Sequence, residues 1–211
     1  MGAGPCPAWI FASWGAMGVR AVFLVGFMAS GKSSVGQELA RRLHWQFVDL
    51  DARIESREQQ CIAEIFRVRG EGEFRLAEAA ALRDLAQSLE RDTVVALGGG
   101  TFTPPQNREL LRNWPSVFLQ APADELWRRC LEDPVERPLR KDKDRQQFSW
   151  LYEQRLPFYR QATVVVETAG RDLASICAEI EGALHLEGKG TPDGPGSSPI
   201  SSSNSGTGES T

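Results

Sequence analysis

The sequence has few cysteines, no excess of positive charge and no long apolar run. Its four cysteines, Cys6, Cys61, Cys130 and Cys177, are far apart and form no Cys-x-x-Cys pair, which argues against a disulfide framework or a zinc site. Reduced thiols are typical of a cytoplasmic protein. A formal net charge of −4 argues against a protein that binds duplex nucleic acid. Because no apolar segment is long enough to cross a membrane, we also expect no membrane partner.

The two ends of the chain differ in composition from its middle. Residues 1–18 lack the basic start of a signal peptide, since the first basic residue is Arg20, and we expect a disordered extension or a wrongly assigned start, with Met17 as the alternative. Residues 187–211 are rich in glycine, serine, proline and threonine. Such a segment cannot bury enough surface to offset its chain entropy, so we predict a disordered tail. Residues 19–186 are predicted to form one domain.

The most informative motif runs from Gly26 to Ser33 and reads GFMASGKS. It fits the pattern GxxxxGK(S/T) and lies between the apolar run 21–25 and a helical pattern with one apolar face. In such a loop, backbone N–H groups and the helix N-terminus bind phosphate. We therefore predict a nucleoside triphosphate site, in which Lys32 reaches the β- and γ-phosphates and the Ser33 hydroxyl binds Mg²⁺.

Short apolar runs alternate with helical patterns through the predicted domain. The runs are continuous, which indicates strands buried on both faces of a parallel sheet, and they cover residues 21–25, 47–48, 93–97, 116–119 and 163–166. Further helices are predicted over residues 104–113, 123–131 and 171–184, the last with an apolar face of Leu173, Ile176, Cys177, Ile180 and Leu184. This alternation predicts a three-layer α/β fold, in which ligands bind at the carboxyl ends of the strands.

Two aspartates follow the second predicted strand directly. If the segment stays extended, Asp49 and Asp51 point to the same side. One carboxylate could then hold Mg²⁺ through water, and the other could accept a proton from an attacking hydroxyl. The alternative is an Asx turn or a helix cap that leads into the next helix.

Three other features each allow a structural and a functional interpretation, and a fourth concerns helix structure alone. The three glycines 98–100 follow a strand and form either a tight loop or a close approach to a ligand. Arg75 and Glu78 can pair on a helix, either as a surface ion pair or as a fixed arginine that binds a substrate carboxylate. The charged segment 132–147 is either a solvated loop or a lid that closes over the phosphates. Pro157 predicts a kink or break in its helix.

Taken together, these motifs resemble the shikimate kinase family. The resemblance covers about residues 19–184 and rests on GFMASGKSSVG, FVDLDARIE, IAEIF with GEGEFRLAE, GGGTFTPPQNRELL, ERPL and RLPFYR, in that order. It implies an α/β, three-layer P-loop kinase fold like that of nucleoside monophosphate kinases, with a five-stranded parallel sheet in the order 2-3-1-4-5. It also implies an enzyme that phosphorylates the 3-hydroxyl of shikimate with ATP and gives shikimate 3-phosphate. We expect this enzyme to be a monomer.

The resemblance also implies roles for individual residues. ATP would be bound by Ala29, Ser30, Gly31, Lys32, Ser33 and Ser34, with Arg129 on the adenine and Arg137 as the lid arginine. Shikimate would be bound by Asp51, Phe66, Phe74, Arg75, Gly98, Gly99, Gly100 and Arg155. Ser33 and, through water, Asp49 would hold Mg²⁺, and the catalytic groups would be Lys32, Asp51 and Arg137. Ala29 departs from the family pattern, which usually has glycine there.

Two alternatives stay open, and the second is of another class. A related small-molecule kinase, such as one acting on gluconate, would share the phosphate loop but lack the set of Asp49, Arg75, Gly98 and Arg155. An inactive ATP-binding module would serve as an interaction domain, and loss of Lys32 or another catalytic group would point to it. The sequence retains these groups, so we predict a shikimate kinase.

Overall fold

The computed structural model describes residues 20–132 and 144–186, which form an α/β fold around one parallel sheet. The strands are β1 (Ala21–Val25), β2 (Gln46–Asp49), β3 (Thr93–Ala96), β4 (Ser116–Gln120) and β5 (Val164–Glu167). They lie in the order β2-β3-β1-β4-β5, which confirms the predicted topology. The central strand β1 pairs Val22 with Val94 on one side and Leu24 with Val117 on the other.

Seven helices cover the two faces of the sheet in the described part of the chain. They are α1 (Lys32–Leu43), α2 (Leu50–Glu58), α3 (Ile62–Gln87), α4 (Pro105–Leu111), α5 (Ala123–Glu132), α6 (Arg145–Tyr159) and α7 (Leu173–Leu184). Four of them contain or end at a residue with positive φ, and α3 and α1 are examples. Gly70 has φ 80° inside α3 and divides it into two helical stretches, and His44 ends α1 in the left-handed conformation.

The two faces of β1 explain why its sequence is apolar throughout. Side chains alternate across a strand, so Phe23 and Val25 face one core while Val22 and Leu24 face the other. The first core receives side chains from α2 to α6, and the second receives those of α1 and α7. Each fully buried leucine or valine contributes about 1.5–3 kcal/mol through removal of apolar surface from water. The β1 strand therefore anchors the loop that follows it from both sides.

The predicted faces of the outer helices agree with the structure except at one residue. Cys130 and Cys177 are buried, as small core residues should be, and burial raises the pKa of the Cys177 thiol to about 11. Leu173, however, is 43% exposed, so its predicted place in the apolar face of α7 is wrong. The helix begins only at Leu173, directly after its cap Asp172, and this first side chain lies outside the buried cluster.

The helix break predicted at Pro157 is not observed there. Helix α6 continues through Pro157 and ends two residues later, at Tyr159. A proline removes one N–H donor and crowds the preceding turn, but here only the last turn of the helix is affected. The RLPFYR segment therefore stays helical, and Arg155 and Tyr159 lie on the same side of α6, one turn apart.

Several predictions lie outside the described residues. These are the extension 1–18, the tail 187–211, and most of the predicted lid 132–147 together with Arg137. They stay predictions. Among the residues that are described, no helix combines the length and the apolar character needed to cross a membrane.

Candidate active site

A cleft of about 790 Å³ opens where β1, β2 and β3 end. Fourteen of the sequence-predicted site residues line it: Ala29, Gly31, Lys32, Ser33, Ser34, Asp49, Asp51, Phe66, Phe74, Arg75, Gly99, Gly100, Arg129 and Arg155. Two others, Ser30 and Gly98, lie beside the cleft without lining it, and Ser30 is buried inside its own loop. The carboxyl edge of the sheet thus brings together groups that are up to 126 positions apart in sequence, from Ala29 to Arg155.

The phosphate-binding loop joins β1 to α1 and is held by its own lysine. Lys32 is buried, and its Nζ donates to the carbonyl oxygens of Gly26 (3.1 Å) and Phe27 (2.7 Å). Gly31, which caps α1, has φ 89°, a conformation that glycine adopts without steric cost. The loop therefore directs the N-terminus of α1, with its N–H groups and partial positive charge, at the cleft.

Ala29 adopts a left-handed backbone conformation in this loop, with φ 59°. The Cβ atom of an L-residue is crowded there, at a cost of roughly 1–2 kcal/mol. This is the position at which the sequence carries alanine where the resemblance leads one to expect glycine. On the N-terminal side of Ala29, Phe27 is fully buried, and its ring lies 4.9 Å from that of Phe148.

The two aspartates occupy the junction of β2 and α2, and the expectation of an extended segment is wrong. Asp49 is the N-cap of α2, and Asp51 already lies in its first turn. Asp49 Oδ1 accepts from the N–H groups of Asp51 (3.0 Å) and Ala52 (3.4 Å), while Oδ2 accepts from the Ser33 hydroxyl (2.7 Å). One oxygen of the Asp49 carboxylate therefore caps the helix, and the other contacts Ser33 in the cleft.

This pairing gives a donor set that fits Mg²⁺. A serine hydroxyl and a carboxylate are oxygen ligands, which the small hard cation prefers, and Mg²⁺ usually keeps several waters besides. Ser33 and Asp49 both line the cleft next to the loop that is suited to phosphate. The residues present are thus compatible with a phosphate-bound magnesium ion.

The far end of the cleft carries two arginines held by different partners. Arg75 Nη1 donates to Glu78 (2.8 Å) and Nη2 to Glu71 (3.1 Å). Burial lowers the pKa of Arg75, but Glu78 and Glu71 raise it by more, so the guanidinium stays charged. Arg155 Nη1 instead donates to the carbonyl oxygen of Gly99 (3.1 Å). Two fixed guanidinium groups facing one cleft can bind a carboxylate through paired hydrogen bonds.

The glycine run meets side chains of the site more closely than the sequence indicated. A Cβ atom at Gly100 would lie 2.5 Å from Nη1 of Arg75, and one at Gly98 would lie 2.6 Å from Oδ1 of Asp51. Gly99 would make only ordinary contacts, the nearest at 3.5 Å. The absence of side chains at Gly98 and Gly100 therefore leaves room for Arg75 and for Asp51, the candidate base.

Two phenylalanines and a third arginine, Arg129, complete the lining of the cleft. Phe66 and Phe74 lie with ring centroids 4.6 Å apart on α3. At the other end, Arg129 donates to Glu125 (2.8 Å) and to the carbonyl oxygen of Thr168 (3.2 Å). Hydrogen bonds from Arg128 and Arg129 lower the pKa of Glu125 to about 2. Arg129 is thus held by its partners at the mouth of the cleft.

Thr101 and Tyr159 were missed in the sequence, whereas the predicted pairing of Glu78 with Arg75 is confirmed. Glu78 is only 1% exposed and also accepts from the Thr101 hydroxyl (2.6 Å), which is itself fully buried. Tyr159 donates to the Gly99 carbonyl oxygen. The four-residue spacing from Arg155 to Tyr159 on one helix was a signal that could have found the tyrosine. No comparable spacing marks Thr101, because its partner is 23 positions away.

Comparison with known proteins agrees with this geometry. A family model described as shikimate kinase matches residues 28–185. A shikimate kinase from Geobacter metallireducens is 42% identical over 173 residues, which cover 81% of this chain and 94% of that protein. Two solved structures are similar. A shikimate kinase from Bacteroides thetaiotaomicron has a TM-score of 0.72 at 31% identity, covering 79% of this chain and 99% of that one.

The second structure is a shikimate kinase from Acinetobacter baumannii in complex with shikimate. Its TM-score is 0.71 at 32% identity, and the match covers 77% of this chain and 90% of that one. A shared phosphate-binding loop alone would match only a short segment, whereas these similarities extend over most of both chains. The chain therefore belongs to the shikimate kinase family.

Proposed function

We propose that the protein transfers the γ-phosphoryl group of ATP to the 3-hydroxyl of shikimate and gives ADP and shikimate 3-phosphate. The observation that carries the proposal is the composition of the cleft. A phosphate-binding loop stands at one end and two fixed arginines at the other, with a carboxylate between them. Shikimate has a carboxylate and three hydroxyls, so it matches cations at one end and acceptors at the other.

The phosphate end neutralises and orients ATP. The N–H groups at the start of α1 and the Lys32 ammonium would bind the phosphates, and Arg137 of the predicted lid would reach the transferring group. Ser33 and, through water, Asp49 would hold Mg²⁺, which offsets phosphate charge when bound. The guanidinium of Arg129 would stack on the adenine.

The acceptor end positions shikimate. Arg75 and Arg155 would bind its carboxylate, and Phe66 and Phe74 would pack against its ring. Asp51, in the first turn of α2, would accept a hydrogen bond from the attacking hydroxyl and take its proton or orient it. Because phosphoryl transfer depends mainly on positioning and on charge stabilisation, these fixed groups supply most of what the reaction needs.

The proposal extends to a cytoplasmic monomer without a nucleic-acid or membrane partner. The scattered cysteines and the net charge of −4 support it. Sedimentation of the full chain in the presence of ATP and shikimate tests the oligomeric state, and a dimer mass would contradict it.

The enzymatic proposal is tested by ADP release with Mg-ATP and three acceptor conditions, namely shikimate, gluconate and no acceptor. We expect turnover with shikimate alone. Arg155→Ala should raise the KM for shikimate and leave the KM for ATP unchanged, because only one substrate carries the carboxylate. Turnover with gluconate alone would indicate another acceptor class, and ATP binding without turnover would indicate an inactive module.

A further inference from the structure

Tyr159 is the last residue of α6, and its side chain contacts the backbone of Gly99, which lines the cleft. The side chain is fully buried, and its hydroxyl donates to the carbonyl oxygen of Gly99. Arg155, one helical turn earlier, donates its Nη1 to the same oxygen at 3.1 Å. One carbonyl group therefore joins two side chains of α6 to the glycine segment after β3.

The surroundings of Tyr159 keep both its ring and its proton in place. The ring stacks on Phe118 of the neighbouring strand β4, with centroids 5.2 Å apart. Burial raises the pKa of the Tyr159 hydroxyl above its ordinary value, so it stays a donor throughout the range in which the protein works. A fixed donor at a fixed distance holds the Gly99 carbonyl in one orientation.

Arg155 depends on that orientation. Its guanidinium lies over the Phe27 ring, 5.7 Å from the centroid, donates to the Gly99 oxygen, and also interacts directly with the Tyr159 hydroxyl. If the carbonyl turned, Nη1 would lose this acceptor, and a long arginine side chain would regain the rotamers that the bond excludes. The position of the guanidinium thus depends on the Gly99 carbonyl and on the Tyr159 hydroxyl.

We propose that Tyr159 is a positioning residue for shikimate binding, which holds the guanidinium of Arg155 by fixing the Gly99 carbonyl oxygen and by direct contact with the Arg155 side chain. The inference rests on the proposed function, because it assigns Arg155 to the shikimate carboxylate. Tyr159 itself does not touch the substrate, since it does not line the cleft.

The same helix offers a matched control. Tyr152 is also buried in α6, and its hydroxyl also donates to a backbone carbonyl, that of Ala121, at 3.1 Å. Neither Tyr152 nor Ala121 lines the cleft. Tyr152→Phe and Tyr159→Phe therefore each remove one buried hydroxyl and one hydrogen bond to backbone, and they differ in which carbonyl is released.

The experiment measures kcat, both KM values and the melting temperature for the wild type and the two variants. A net hydrogen bond corresponds to about a three- to tenfold change in an equilibrium, so we expect Tyr159→Phe to raise the KM for shikimate by that factor. The KM for ATP should not change. Tyr152→Phe should leave both KM values at the wild-type level. The melting temperatures of the two variants should fall by similar amounts, because each variant loses one buried hydrogen bond.

A double-mutant cycle tests whether Tyr159 affects shikimate binding through Arg155. In an Arg155→Ala background, Tyr159→Phe should lower kcat/KM for shikimate by less than twofold, because the group that it positions is gone. Equal shikimate KM values for the two tyrosine variants, or a full threefold or larger loss in the Arg155→Ala background, would overturn the inference. A wild-type protein without shikimate-dependent turnover would instead overturn the proposed function, so the two failures are distinguishable.

Discussion

Replacing Gly100 with alanine should displace Arg75 and leave the fold intact. The new Cβ atom would lie 2.5 Å from Nη1 and 2.7 Å from Nη2 of Arg75, whereas ordinary contacts begin at 3.4 Å. The atoms that it meets are the far end of a flexible side chain, so the guanidinium gives way and the backbone stays. Moving Nη1 from 2.5 Å to 3.4 Å requires a shift of about 0.9 Å.

A shift of this size is large for the guanidinium that we propose binds the shikimate carboxylate. Misplacement by about 1 Å can reduce a rate about 100-fold, so we expect kcat/KM for shikimate to fall about 30- to 100-fold, or about 2–3 kcal/mol. The same movement lengthens the 2.8 Å ion pair between Arg75 and Glu78. The KM for ATP should change little, because Gly100 belongs to the acceptor end of the cleft.

The assay is initial-rate kinetics with each substrate varied in turn, together with the melting temperature. Gly182→Ala is the control, since a Cβ atom there has no neighbour within 4 Å and the residue lies in α7, far from the cleft. It should keep wild-type kinetics and gain up to about 1 kcal/mol in stability, because alanine suits a helix interior better than glycine. If the Gly100→Ala protein keeps its kcat/KM for shikimate, then Arg75 does not need the space that Gly100 leaves.

Three other predictions concern charge. Lys32→Ala should lower kcat/KM at least about 100-fold, because the ammonium group that binds the phosphates of ATP is lost. A near-normal rate in the ADP assay would contradict this. Asp51→Asn should lower kcat about 100- to 10,000-fold with little change in the KM for ATP, measured by the same assay. The Glu125 carboxyl has its pKa lowered from 4.5 to about 2, so it stabilises the fold above pH 4.5 and loses this effect as the pH falls towards 2. Urea unfolding should therefore show a stability gap between wild type and Glu125→Gln at pH 7 that narrows at pH 3; a constant gap would be the contrary result.

The fold could be predicted from the sequence because its strongest signals are local. The run Ala21–Val25 is apolar at every position since both faces of β1 are covered, and this distinguishes it from a strand with one wet face. The phosphate loop follows it directly, so its type and place are set together. The same reasoning failed at Leu173, where the helix begins later than its pattern, because element boundaries depend on caps such as Asp172.

The site was predictable where a side chain alone carries the chemistry, and less so where its role depends on a distant partner. The sequence left the cap and the cleft as competing roles for Asp49, whereas each of its two oxygens serves one of them. Thr101 is buried against Glu78 through the tertiary fold, and no local pattern announces such a contact. The glycine run was interpreted as a tight loop or a close approach to a ligand, and the structure adds that Gly98 and Gly100 leave space for the side chains of Asp51 and Arg75.

The most direct test of the account follows both products of one reaction. The full chain is incubated with Mg-ATP and shikimate, and phosphorus NMR monitors ATP, ADP and any new phosphate monoester. The account predicts that ADP and a monoester on the 3-hydroxyl of shikimate appear in equal amounts, and that neither forms without shikimate. ADP accompanied only by inorganic phosphate, or a monoester on another hydroxyl, would contradict it.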